Sequence, residues 1–410
     1  MDFNDSPQEA AFRAKAQAFL LANASTKGAR NRDLAGDNAP DDDAAALLAA
    51  AKAWQLKKAQ AGFAGILWSK DYGGQELAPI LHVIYGQEEA KYDVPRGFFE
   101  IGLGMCIPTL LAFASEAQKQ RYALPALRGE EIWCQLFSEP AAGSDVAGLK
   151  MRAERDASGE NWVLNGQKVW TSGAHYSDFG IVLARTDPNQ AKHKGLTMFF
   201  VDMKSRGILA KPIHQMSGGR NFNEVFFDDV LIPDSQRLGE IGQGWSVALV
   251  TLMNERLAIG GSTGPDYHEI LQLSRELGTL DDGAFRAKLA DWYVRFEGLK
   301  LTRFRTLTAL SKGETPGPES SIGKIISANQ LQQIASEALD QADFYGVLTD
   351  PALAPMEAMF HQAFMWAPGL RIAGGTDEVL KNIIAERVLG LPGDIRVDKD
   401  LAFKDLPSGR

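Results

Sequence analysis

The spacing of hydrophobic positions changes twice along the chain. Up to about residue 125, apolar residues recur at helical intervals. The stretch Asn38–Asp43, with Pro40 and three aspartates, suits the first turn of a helix that continues through Ala/Leu-rich sequence to Gln60. Gly62 supplies the stop. Residues 1–125 are therefore predicted to form an N-terminal α-helical domain.

Residues 126–235 have a different pattern. Short runs rich in β-branched and aromatic residues, such as NWVLNGQKVWTSG and NEVFFDDVLIP, are separated by Asn-Gly, Asp-Pro, Lys-Gly and Arg-Gly at hairpin spacing. Helical periodicity then returns in long segments at 243–278, 283–312, 318–346, 353–366 and 376–389. We predict a mainly α protein with a middle β-domain (126–235) and a C-terminal helical bundle (236–410).

Composition excludes several classes of function. A net charge of −9 in 410 residues and a pI near 5.3 argue against binding to nucleic acid or to an anionic membrane surface. No apolar run approaches the roughly 18 residues needed to span a bilayer, and the acidic N-terminus fits neither a signal nor a transit peptide. Cys106 and Cys134 are predicted to be buried free thiols, and the six histidines lack metal-ligand spacing. We expect a cytoplasmic protein without a metal site.

Two stretches are candidates for chemistry. In LFSEPAAGSDVAGL (136–149), small residues flank Ser138 and Ser144, so the loop can bring amides and hydroxyls close to a planar polar ligand. In NGQKVWTSG (165–173), Trp170 could pack against a heterocycle while Ser172 donates to it. An ordinary polar turn and a core tryptophan are the alternatives.

Together these stretches resemble the acyl-CoA dehydrogenase family, in which corresponding segments hold FAD. The resemblance extends to WSKDYGGQEL (68–77), FNEVFFDDVLIP (222–233) and GGTDEVLKNIIAERVLGLP at the C-terminal end. It implies three parts: an N-terminal helical domain, a middle β-barrel or sandwich, and a C-terminal four-helix bundle.

The resemblance also implies which residues hold FAD. Ser138 and Ser144 line the site, Trp170 covers one edge of the isoalloxazine ring, and Ser172 donates near N5. The full implied set is Gln135, Phe137, Ser138, Gly143, Ser144, Trp170, Ser172, Arg275, Thr376 and Glu378. Arg275 would reach FAD across a subunit boundary, but the sequence after it departs from the family pattern. An ordinary surface charge is the alternative at Arg275.

The catalytic base is expected at an unusual place. The family reaction removes an α-proton and a β-hydride from an acyl-CoA, and most members carry a glutamate where this chain has Gly374. In isovaleryl-CoA dehydrogenase-like members the glutamate comes from an earlier helix, which here carries Glu255 followed by Arg256. Apolar neighbours would raise the pKa of Glu255, and Gly260 and Gly261 suggest close approach of a bulky group. A structural ion pair is the alternative for Glu255.

The implied substrate contacts are Ser144, Arg256 and Gly374, whose amide can still donate to the thioester oxygen. The resemblance implies an acyl-CoA dehydrogenase of lipid metabolism and fatty acid β-oxidation that passes electrons to electron-transfer flavoprotein. It also implies a homotetramer or heterotetramer. A catalytically silent subunit of a heteromer is the alternative, and oxidase-like and DNA-binding branches are further ones. The particular acyl group is not predicted.

Overall fold

The computed structural model describes residues 4–26, 44–258, 264–312, 317–395 and 399–407, and the predicted start Asn38–Asp43 lies outside them. The chain forms two compact units. The helical unit comprises residues 1–36, 76–94 and 260–393, and the sheet unit comprises residues 37–75, 95–259 and 394–410. These units cut across the three domains predicted from sequence, and the boundaries at 125 and 235 stay a prediction.

The helical unit is built mainly from helices. Its helices are α1 (Pro7–Asn23), α3 (Pro79–Glu89), α7 (Tyr267–Leu277), α8 (Gly283–Ser311), α9 (Ser320–Gln341), α10 (Met359–Leu370) and α11 (Asp377–Ile383), the last continuing as a π-helix over Ile384–Val388. Strands β1 (Ser25–Thr26) and β2 (Tyr92–Asp93) pair antiparallel. Four helices, α7 to α10, contribute buried side chains to the core, among them Leu273, Trp292, Ile334 and Phe360.

Two predicted helix boundaries are wrong. The segment 243–278 is not one helix, because Pro265 interrupts it and Asp266 caps a new helix by accepting from His268 N at 2.8 Å. The segment predicted from 353 begins at Met359, because Met356, Glu357 and Ala358 before it have left-handed backbone. The helical character of both regions is nevertheless correct.

The sheet unit is organised around one eight-stranded sheet. Its strands are β3 (Trp133–Leu136), β4 (Arg152–Arg155), β5 (Asn161–Ser172), β6 (Phe179–Arg185), β7 (Leu196–Asp202), β8 (Ile208–Pro212), β9 (Phe222–Pro233) and β10 (Arg237–Leu238). The order is β10-β7-β6-β4-β5-β9-β8, with β3 pairing parallel to β6. The predicted class, mainly α with a central β-domain, is confirmed.

The sheet unit also contains helices. They are α2 (Ala44–Gln60), α4 (Ile107–Phe113), α5 (Glu116–Leu127) and α6 (Gly244–Ala258), with a π-helix at Gly102–Cys106. Gly62, with φ of 80°, follows α2 as predicted. Trp133, Phe199 and Phe200 are fully buried in the sheet core. Within the described residues, no helix is both long and apolar enough to cross a bilayer.

Both cysteines lie in this core. Cys106 and Cys134 are free and fully buried, and Cys106 Sγ donates to the Cys134 carbonyl oxygen at 3.4 Å. Burial raises the pKa of Cys134 to about 12 and the pKa of Cys106 well above its usual value. The reactive thiolate is therefore scarce at neutral pH.

We predict that neither thiol reacts with an aromatic disulfide reagent at pH 8 while the protein is folded, and that both react in denaturant. The measurement is thiol titration with and without guanidinium. Rapid labelling of the folded protein would contradict the buried placement of both cysteines.

Candidate functional site

The two stretches singled out in the sequence meet in the sheet unit. The first continues from β3 as a polar loop over residues 137–145, here called the serine loop. The second is the end of β5. Val169 N donates to the Ser138 carbonyl oxygen at 2.9 Å, and Lys168 Nζ donates to the Phe137 carbonyl oxygen at 3.0 Å. These bonds hold the serine loop directly beside the strand segment that carries Trp170.

A buried ion pair joins Glu139 of the serine loop to Lys168 of β5. Glu139 accepts from Lys168 Nζ at 2.9 Å, from Lys150 N at 2.7 Å and from Met151 N at 3.0 Å. Lys168 is fully buried and Glu139 is 8% exposed. Burial lowers the pKa of Lys168, and the Glu139 carboxylate opposes that shift. Several hydrogen bonds thus compensate for desolvation of the two charges.

The segment that follows the serine loop is also held in place. Buried Arg185 donates to the carbonyl oxygens of Ala147 at 2.6 Å and Leu149 at 3.1 Å. Its guanidinium stacks 3.4 Å from the ring centroid of Phe403, and burial lowers the pKa of Arg185 to about 10. The buried Arg185 side chain therefore holds the backbone of the segment that follows the serine loop.

The upper surface of the serine loop remains open. Ser138 is half-buried, whereas Gly143 and Ser144 are exposed, and a Cβ atom built on Gly143 would meet nothing within 4 Å. Phe137 is buried and Gln135 is half-buried on β3. The loop thus presents hydroxyl groups on a rigid base without closing over them.

Trp170 adds an exposed aromatic ring next to this loop. Its backbone has φ of 60°, in the left-handed region, where the β5–β9 register shifts between Lys168 and Thr171. The side chain is 59% exposed and meets Phe222 edge-on, with centroids 6.0 Å apart. A strained, exposed aromatic residue inside a strand indicates a functional constraint.

Ser172 is half-buried two residues beyond Trp170. Between them, Thr171 Oγ1 is buried and has no hydrogen-bond partner within the described part of the chain. The sheet unit therefore carries the indole of Trp170 together with the hydroxyl groups of Ser138, Ser144 and Ser172. This donor set, with an aromatic surface beside open space, fits a planar heterocycle such as the flavin of FAD.

A second group of predicted residues lies in the helical unit. Gly374 and Gly375 have φ of 65° and 95° in the turn between α10 and α11. Thr376 caps α11 by accepting from Val379 N at 3.2 Å, and Lys324 Nζ donates to the Gly375 carbonyl oxygen at 2.6 Å. Glu378 is exposed.

Asp377 anchors this turn from inside. The carboxylate is 2% exposed and accepts from Arg371 at 2.9 and 2.7 Å and from Asn329 at 3.1 Å. Burial acts to raise the pKa of Asp377, but hydrogen bonds from Arg371 and Asn329 hold it below its usual value. The Gly374–Gly375 turn therefore lies between the two partners of the Arg371–Asp377 ion pair.

The remaining predicted residues are placed only in part. Glu255 and Arg256 lie on α6, but their side chains are outside the described residues, as are Gly260 and Gly261. Arg275 is exposed in the last turn of α7. Its predicted contact with FAD stays a prediction.

Comparison with known proteins identifies the family. Models of the acyl-CoA dehydrogenase N-terminal, middle and C-terminal domains match residues 6–130, 134–230 and 242–389, in that order. The chain belongs to the acyl-CoA dehydrogenase family. It is therefore an oxidoreductase of the class that acts on the CH–CH group of acyl-CoA, and the expectation of FAD as the cofactor is confirmed at the level of the family.

Two relatives from Mycobacterium tuberculosis show how far the sequence similarity extends. Acyl-CoA dehydrogenase IpdE1 is 33% identical over 396 residues, covering 94% of this chain and 98% of that protein. Acyl-CoA dehydrogenase FadE34 is 37% identical over 341 residues, covering 82% of this chain and 46% of that protein. This chain thus spans about half the length of FadE34 and nearly all of IpdE1.

Solved structures show the same fold. The Tcur3481-Tcur3483 steroid ACAD matches with a TM-score of 0.79 and 24% identity, covering 96% of this chain and 100% of that chain. A glutaryl-CoA dehydrogenase from Mycobacterium smegmatis in complex with FADH2 matches with a TM-score of 0.70 and 20% identity, covering 96% and 97%. At these identities the likeness establishes the fold alone.

Sequence reasoning missed the charged residues that support the site. Lys168 is a charged residue in a strand whose other buried positions include Trp162 and Leu164, which is a detectable signal, but its partner Glu139 lies 29 residues away. Asp377 and Arg371 are six residues apart and read as ordinary surface charges. Pairing and burial, rather than residue type, reveal their role.

Two glycine substitutions in the helical unit should have opposite effects. Gly374→Ala forces a side chain into left-handed backbone, and we predict a loss of about 1 kcal/mol in the free energy of unfolding. Gly369→Ala is the control, since Gly369 lies in the last turn of α10 with nothing within 4 Å of an added Cβ, and it should stabilise the protein by about 0.5 kcal/mol. Urea denaturation of both variants measures the difference. Equal effects would contradict the strained backbone at Gly374.

Proposed function

We propose that this protein catalyses FAD-dependent α,β-dehydrogenation of an acyl-CoA thioester to a trans-2-enoyl-CoA. The observation that carries the proposal is the bond from Val169 N to the Ser138 carbonyl oxygen, which brings the serine loop beside Trp170 and Ser172. Neither stretch alone makes a site, but together they combine hydroxyl donors with an exposed ring. The alternatives of a polar turn and a core tryptophan are therefore less favoured.

In this proposal the residues of the sheet unit bind and orient the cofactor. FAD, when bound, supplies an acceptor for the hydride that leaves the β-carbon. Trp170 covers one edge of the ring, the Ser172 hydroxyl donates to it, and Ser138 and Gly143 line its surroundings. Ser144 also borders the thioester. The family resemblance further assigns Thr376, Glu378 and Arg275 to FAD.

Glu255 is the proposed base that removes the α-proton. The helix that carries it is firmly packed: Val247 and Ala248 are buried in the sheet core, and Thr251 Oγ1 lies 2.8 Å from Thr109 Oγ1. A base needs such a fixed backbone to hold its carboxylate at the α-carbon. The Gly374 amide is the proposed donor to the thioester oxygen, where enolate charge develops, and Arg256 is a proposed substrate contact.

Electron-transfer flavoprotein is the proposed electron acceptor, as the family resemblance implies. Because Gly374 has no side chain, we propose that the acyl group can be bulky, which favours branched or sterol-like thioesters over short straight ones. The native protein is proposed to be a tetramer of 44.7 kDa chains, homomeric or paired with a second chain. A role in fatty acid β-oxidation and a cytoplasmic location remain proposals of the same kind.

A silent or partner-dependent subunit is the second candidate. It is favoured by the name of one structure with the same fold, the Tcur3481-Tcur3483 steroid ACAD, which combines two proteins. The exposed Ser144 and Trp170 argue against it, since a strained and exposed ring has no evident use in a subunit that does not bind a ligand. Flavin carried by the purified chain alone would argue against the silent subunit.

We predict that an acyl-CoA bleaches the oxidised flavin of the wild-type protein under anaerobic conditions. The panel contains short, branched, long and sterol-like thioesters. Glu255→Gln should slow bleaching by about 10²-fold or more, the usual contribution of a general base, while keeping its flavin. Glu240→Gln, a change at an exposed glutamate of the sheet unit, is the matched control and should bleach at the wild-type rate.

The outcomes separate the readings. Bleaching of Glu255→Gln at the wild-type rate would contradict the base assignment and leave Glu255 a structural ion pair. A wild-type chain that carries no flavin would favour the silent subunit. A flavin-loaded chain that no thioester bleaches until a second chain is added would favour the partner-dependent one.

A further inference from the structure

Lys168 and Glu139 form a buried ion pair that the reaction itself does not use. Their charged atoms lie 2.9 Å apart, with the lysine 0% and the glutamate 8% exposed. Apolar residues of similar volume often replace such pairs without loss of stability. The contacts made by this pair are therefore informative, because they are not needed for packing alone.

Lys168 connects the two halves of the proposed flavin site. The same Nζ atom donates to Glu139 and to the Phe137 carbonyl oxygen, and the next residue donates its amide to Ser138. The residue after that is Trp170, at the register shift of β5. The ammonium group of Lys168 and the backbone bond from Val169 N to Ser138 together link the serine loop to the segment that presents the indole.

We propose that Lys168 is a positioning residue for the cofactor. It holds the serine loop at a fixed position relative to Trp170, and the ion pair with Glu139 keeps its ammonium group in place. This inference rests on the proposed function, because it takes the serine loop and Trp170 as the flavin site. Without the ammonium, the Phe137 carbonyl oxygen lacks a donor and the loop gains freedom. A ligand held by both sides then loses affinity and fixed orientation.

The test separates positioning from stability with three variants of the full chain. Lys168→Met removes the cation and leaves Glu139 buried without its counter-ion, so both the melting temperature of the apoprotein and FAD affinity should fall. Glu139→Gln leaves the lysine unpaired and should destabilise similarly. The double variant, Lys168→Met with Glu139→Gln, leaves no unpaired buried charge, so the apoprotein should melt near the wild-type temperature.

The decisive readout is flavin binding by the double variant. We expect its dissociation constant for FAD to rise about tenfold, the equivalent of one charge-assisted hydrogen bond, although its stability is restored. The visible circular dichroism of the bound flavin should also change shape, because that signal reports the ring's surroundings. Lys204→Met is the control: it breaks an ion pair with Asp178 of 2.7 Å at a 74% exposed lysine and should change neither quantity.

A double variant that binds FAD as tightly as wild type, with the same visible circular dichroism, would overturn the proposal and make the pair purely structural. If Lys168→Met does not fold, the double variant alone supplies the comparison. If the double variant also fails to fold, Lys168 is required for folding and the positioning role is rejected. Wild-type protein that binds no FAD would instead refute the proposed function, so the two failures are distinguishable.

Discussion

Burial of a single lysine beneath a polar loop is the constraint on which the candidate site depends. A serine- and glycine-containing loop has little intrinsic order, because small residues lose much conformational freedom when fixed. Lys168 supplies that order by donating to the Phe137 carbonyl oxygen and to Glu139 of the loop, and Glu139 also accepts from the backbone amides of residues 150 and 151. Removing one member of such a pair typically lowers the free energy of unfolding by about 3–5 kcal/mol, so the pair strongly stabilises the conformation of the loop.

The same device is used at two other places. Arg185 fixes the segment after the serine loop by donating to its carbonyl oxygens, and Arg371 fixes the Gly374 turn through Asp377. Arg185 donates to backbone carbonyl oxygens and Arg371 donates to a buried carboxylate, so in each case a cationic side chain restrains an irregular segment. A preorganised site is expected to have this arrangement, in which buried side chains hold the backbone and exposed groups are available to a ligand.

Sequence predicted the fold class well because periodicity reports burial directly. Hairpin dipeptides located the β-region, and helical spacing located the helices, but Pro265 and the left-handed turn at 356–358 divided or shortened two of them. The residues of the serine loop and Trp170 were found from their chemistry and from the resemblance. Lys168 with Glu139 could not be paired from sequence, since only the packing of the loop after β3 against β5 brings these residues, 29 positions apart, together.

The most direct test of the account is a crystal structure of the protein with FAD bound. The account predicts the flavin ring against Trp170, with the Ser172 hydroxyl within hydrogen-bonding distance of a ring nitrogen, about 2.6–3.2 Å, and the Lys168–Glu139 pair intact beneath the serine loop. A flavin bound away from Trp170 and residues 137–145 would contradict it, because the site would then not depend on the loop that this pair supports.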